Sequence, residues 1–143
     1  MSDGTLAVRD LVAAALVAGV PAFAGRVFLG RVTPATEAEI PCGAVGIETE
    51  RVSPLAKGID RVDFDLVVDV LAAGDGTADD LERAADALIN SVSAALSLDT
   101  DRTLSGAVFD ITGQSRDRER SAGGERQIGR GRLTLSCYLL REI

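Results

Sequence analysis

Histidine is absent from this chain of 143 residues. The side chain that most often serves as general base or metal ligand is thus missing, and no Ser–His or Cys–His nucleophile can be built from these residues. Tryptophan is absent too. The aromatics are Phe23, Phe28, Phe64, Phe109 and Tyr138, which offer no visible platform for stacking bases. Cysteine occurs only as Cys42 and Cys137. Each lies in an apolar run, where a reduced thiol behaves as a small hydrophobe, and two distant thiols do not make a structural zinc site. Lysine occurs once, so a serine–lysine arrangement would need Lys57 with Ser53, and the local pattern fits no such motif. Long apolar runs are lacking as well: Leu6–Phe28 is broken by Arg9, Asp10, Gly19, Pro21 and Arg26, too polar for a membrane span. The start, Met-Ser-Asp-Gly-Thr, has no basic, apolar leader. These absences lead us to expect a soluble, non-enzymatic product made in the cytoplasm, with no cofactor, metal or membrane to hold.

What is present suits one globular domain over residues 1–143. The chain is 46% apolar and 26% charged, a globular balance, and its length is enough for a sizeable core. The net charge of −7 repels a free polyanion on average. Nearly all the basic residues are arginine, whose rigid fork suits persistent protein contacts.

Periodicity divides the chain. Thr5–Ala18 reads as a helix with Val8, Leu11, Val12, Ala15 and Leu16 on its buried stripe, stopped by Gly19-Val20-Pro21. Arg26–Leu29 reads as a short strand and Thr33–Glu39 as a polar segment. Cys42–Ile47 is a second strand, carried on to Glu50, and Arg51–Asp60 a loop broken by Pro54 and Gly58. Arg61–Ala72 alternates most clearly: Val62, Phe64, Leu66, Val68 and Val70 face one way, Asp63, Asp65 and Asp69 the other. After a turn at Gly74-Asp-Gly76, Thr77 caps a helix reaching about Leu96, with Leu81, Ala85, Leu88 and Val92 inward and Asp79 and Asp80 in the first turn. Asp99–Arg102 ends it. Ala107–Thr112 and Gly131–Arg141 form a closing strand pair. In the second of these Leu133, Leu135, Cys137 and Leu139 face inward, while Arg130, Arg132 and Tyr138 face away. If that strand lies beside Arg61–Ala72, its arginines can meet the aspartates. The expected fold is α+β, a mixed and largely antiparallel sheet with two main helices on one face.

Two features invite chemistry. Gly113, Gly123, Gly124, Gly129 and Gly131 suggest a phosphate loop, yet no lysine follows and no strand-to-helix turn frames them, so they read as loop freedom. Asp63 and Asp65 share a face and could hold a divalent ion in principle, but they read as an ordinary acidic outer face. The segment from Ser115 to Arg130 is longer than a hairpin turn needs. Within Ser115–Gln127 the four arginines, Arg116, Arg118, Arg120 and Arg126, stand against three carboxylates. That mixture attracts phosphates poorly and suits a loop ordered on assembly.

The linear layout resembles the tail terminator proteins of long-tailed phages, the minor tail protein U type. The resemblance spans nearly the whole chain and rests on Leu6–Leu16, Glu37-Ala-Glu-Ile-Pro-Cys-Gly-Ala-Val-Gly-Ile47, Phe64–Leu71 with Asp79–Ile89 behind it, and Leu133–Leu140 after a charged segment. It implies a homo-oligomeric ring, hexameric in that family, which caps the tail tube, stops its polymerisation and presents a surface for the head. The implied partners are other copies, the tail tube protein and a head-completion or connector protein, with DNA passing unheld. The implied place is the host cytoplasm during assembly and then the head-proximal end of the virion tail, in a phage or prophage. Arg116, Arg118, Arg120, Arg126 and Lys57 are the expected assembly contacts. Asp63, Asp65 and Asp69 either line the passage or form an outward, solubilising face. A head-completion or connector protein and an accessory DNA-binding module remain alternatives.

Overall fold

Alternation along one strand organises the molecule. The computed structural model describes residues 4–30, 40–73, 78–123 and 126–143, with side chains described for all of these except 73, 78, 119–123 and 126–127. Helix α1 is Gly4–Gly19, followed by a 3-10 turn at Pro21–Phe23; strands β1, β2 and β3 are Val27–Leu29, Cys42–Ala56 and Ile59–Ala73. Helix α2 is Ala78–Ala95, and β4 and β5 are Asp110–Gly123 and Arg126–Glu142. The strands form one sheet in the order β1-β2-β3-β5-β4, antiparallel except for the short β1–β2 pair. The architecture is the α+β one expected. The polar segment 33–39, the turn 74–76, the cap Thr77 and the side chains of Arg120 and Arg126 lie outside the described residues.

Strand β3 is bonded to β2 on one side and β5 on the other. Its Val62, Phe64, Leu66, Val68 and Val70 are buried, and Val45, Leu133, Leu135 and Cys137 join them from the neighbouring strands. Both helices cover this face. Truncating Leu66 or Leu135 to alanine there would cost about 2–5 kcal/mol. Helix α2 turns Leu81, Ala85, Leu88, Ile89 and Val92 inward, as its spacing predicts. Helix α1 buries Val8, Val12, Ala13 and Leu16, but Leu11 is 41% exposed. Residues at i, i+4 and i+8 centre its stripe, and Leu11 falls outside it.

Three expected boundaries change. Arg51–Asp60 is not a loop: β2 and β3 continue to a tight turn at Lys57-Gly58, with Pro54 in register with Asp60. Proline is tolerated there because that part of β2 is an edge, where one side of the backbone needs no partner. The closing strand starts at Asp110, later than Ala107, since Leu104 and Val108 are drawn into the core from turns.

The third change is the largest. Of the expected loop Ser115–Arg130, residues 115–123 and 126–130 are instead the distal halves of β4 and β5, paired as far as Gly123↔Arg126. Asp117 stands opposite Arg132 in this register, an arrangement that favours pairing. Gly129 and Gly131 are strand residues beneath α2. A β-carbon on Gly129 would lie 2.6 Å from the Leu81 carbonyl oxygen, and one on Gly131 would lie 3.0 Å from Ile89. The glycines let the helix settle onto the sheet.

After α2, Asp101 accepts hydrogen bonds from the Thr103 hydroxyl (2.7 Å), the Thr103 amide (2.8 Å) and the Ser105 amide (2.8 Å). These bonds, the Thr103 side chain first, hold its carboxyl below the usual range. A carboxyl depressed by folding adds stability above its unfolded pKa, about 4, and loses it as pH falls through the folded value. Protection of the 97–108 amides against exchange should therefore fall below about pH 4, and Asp101→Ala should remove that pH dependence. Gly129→Ala should lower the urea midpoint by the equivalent of about 1–3 kcal/mol. Gly113→Ala, whose β-carbon would meet nothing closer than 3.8 Å, should cost less.

Candidate functional site

The sheet face away from the helices carries the residues that alternation sets outward on β3 and β5. Asp63, Asp65 and Asp69 do share this face, and each has a partner. Arg61 clasps Asp63 with Nη2 and Nε at 3.0 and 3.1 Å. The Ser136 hydroxyl donates to Asp65 at 3.2 Å. Arg132, opposite Asp69 in the β3–β5 register, donates to both its oxygens at 2.8 and 3.2 Å, and its Nη1 lies 3.7 Å from Glu48. Asp69 raises the pKa of Arg132, chiefly through this hydrogen bonding. Each of the three aspartates is thus answered, Asp69 alone by an arginine of β5, and Val67 and Leu71 on the same face are buried. Among the described residues no cluster of His, Cys, Asp or Glu could hold a metal ion.

At the far end of the same face the guanidinium of Arg61 lies 3.8 Å from the Tyr138 ring centroid, and Tyr138 stacks on Phe109 with centroids 5.2 Å apart. Phe109 is 58% exposed. This layered stack was not anticipated, although Tyr138 is outward on β5 by alternation. Pairing with Asp63 needs the β3–β5 register, which no local pattern supplies.

The five basic candidates do not converge. Arg116 and Arg118 lie on the helix side of β4 and reach α2. Arg116 donates to Asn90 Oδ1 at 2.8 Å and Ser93 Oγ at 3.1 Å, and Arg118 donates to Asp86 Oδ1 at 2.9 Å. They are not the tips of a free loop. Arg120 and Arg126 occupy the end of the sheet near Ala73, while Lys57 is in the turn at the opposite end. Fourteen steps along β3 separate those ends, roughly 45 Å at the usual strand rise.

A cavity of about 730 Å³ opens beside β2, lined by Leu6, Arg9, Gly46, Glu48, Asp69, Asp117, Arg130 and Arg132 among others. Its described lining offers paired carboxylates and guanidiniums but no hydroxyl, thiol or amine. The thiols sit elsewhere: Cys42 and Cys137 are both buried. Burial first, then Asp65 and Asp110, pushes the Cys137 thiol up to about 12, so it remains protonated and unreactive at neutral pH.

The chain matches no protein-family model and no curated protein.

Arg116 and Arg118 bind α2 to β4, so replacing both by alanine should lower stability by about 1 kcal/mol, read as a shifted urea midpoint. An unchanged midpoint would show that the two side chains carry no load in the fold.

Proposed function

We propose that this chain is the subunit of a tail-terminator-like ring. Copies assemble around a passage, cap the tail tube, end its polymerisation and present a surface to which a head-completion or connector protein binds. Two supports come from sequence and fold. The elements follow the order that the resemblance implies, helix, strands, helix and strand pair, and both helices lie on one side of a sheet.

The observation that carries the proposal is the outward side of α1. Leu6 and Leu11 are each 41% exposed and Val17 49%, with Ala7, Ala14 and Ala18 exposed between them. Asp10 is the one charge on that side, and it is held by Arg9 at 3.0 and 3.1 Å. The outward side of α2, in contrast, carries Asp79, Asp80, Arg83 and Asn90. A helix apolar on both sides fits protein on both sides. The aspartate-bearing face of the sheet fits a passage that DNA crosses without adhering, because it carries three aspartates and its Arg61 and Arg132 are already engaged by Asp63 and Asp69.

The test is solution mass over a range of concentrations, with negative-stain imaging of the chain mixed with polymerising tail tube. Rings that bind tube ends and fix tube length are expected. A chain that stays monomeric at every concentration and leaves tube length unchanged overturns the proposal. Leu11→Glu with Val17→Glu should keep the fold, since both side chains are substantially exposed, and should abolish capping.

A further inference from the structure

The sheet ends in two unequal edges. On one side β1 covers only Gly43–Val45 of β2, and from Gly46 to Ala56 the outer edge of β2 has no backbone partner among the described residues. On the other side is β4. Beyond Ile111, whose amide donates to the Arg102 carbonyl at 2.8 Å, its outer edge is equally without a partner among the described residues. Open edges of this length are templates for another strand.

We infer that copies of this chain join edge to edge, the exposed part of β2 in one copy pairing antiparallel with β4 of the next, so that one sheet runs from subunit to subunit. The inference rests on the ring reading above and names the contact that closes the ring. Three properties of the chain agree on it. The first is direction. β2, β3, β5 and β4 are each antiparallel to the one before, so β4 runs opposite to β2. Rotation about an axis along the strands preserves that relation and brings the two edges together antiparallel, as a heterologous contact able to close.

The second is face. A sheet that continues with its helices on one side must place helix-side residues beside helix-side residues. On β2 these include Glu50, opposite buried Phe64, while Arg51, opposite Asp63, is on the other face. On β4 the helix side carries Arg116 and Arg118, and the other face carries Asp117. The third property is charge, which follows from the second. Among the registers that preserve the faces, the one that sets Glu50 opposite Arg118 also sets Arg51 opposite Asp117, so both pairs form together. A slip of one residue would set acid beside acid and base beside base. Arg118 can serve both Asp86 and Glu50, because a guanidinium has five N–H donors. Pro54, lacking an amide hydrogen, limits the ladder at its far end.

The test uses the full chain and compares the concentration at which rings dissociate. Arg51→Glu and Asp117→Arg should each raise it roughly five- to tenfold, and the two together should restore it. Arg51→Cys with Asp117→Cys, oxidised at ring-forming concentration, should yield covalent multimers under denaturing conditions, and neither single variant should exceed a dimer. Rings that form with unchanged dissociation in both charge variants and no multimers from the double cysteine variant overturn the edge contact, while leaving the ring reading standing. If the unaltered chain never forms a ring and never affects the tube, the ring reading falls and this inference with it.

Discussion

Burial of one face of β3 is the constraint on which the other elements depend. The strand is bonded on both sides along its length, so it cannot slip by one residue without moving Phe64, Leu66 and Val68 out of the core and Asp63, Asp65 and Asp69 into it. Fixing that phase fixes its neighbours. Val45 and Ile47 on β2 and Leu133, Leu135 and Cys137 on β5 must lie on the same side, and the helices must cover them. The opposite face inherits the charges, and Arg61, Arg132 and Ser136 are then positioned to answer the three aspartates.

Where a local pattern mirrors that constraint, sequence reading succeeds. The alternation of Arg61–Ala72 and the helical stripe from Leu81 to Val92 are both seen as expected, because each depends on one element meeting one apolar surface. Cross-strand ion pairing between β3 and β5 was legible only conditionally. Alternation sets Arg132 outward, but its contact with Asp69 requires a register that joins residues 63 positions apart.

The segment around Arg118 misled for a physical reason. Alternating charges have low strand propensity, and reading them in one line suggests a solvated loop. Paired in β4 and β5, the same stretch sets Asp117 opposite Arg132. Glycine misled in the same way: Gly129 and Gly131 relieve steric pressure under α2, a demand that exists only once the helix has docked. Leu11 shows the reverse case. Its apolar character placed it in the α1 stripe, yet the helix has more apolar surface than the sheet can cover.

The two guanidinium bridges from β4 to α2 also set how the molecule bears load. Arg116 and Arg118 grip the helix at Asn90, Ser93 and Asp86, and the helix is seated in the notch left by Gly129 and Gly131. A pull on that margin of the sheet is therefore shared with α2 through side chains as well as through the strand ladder.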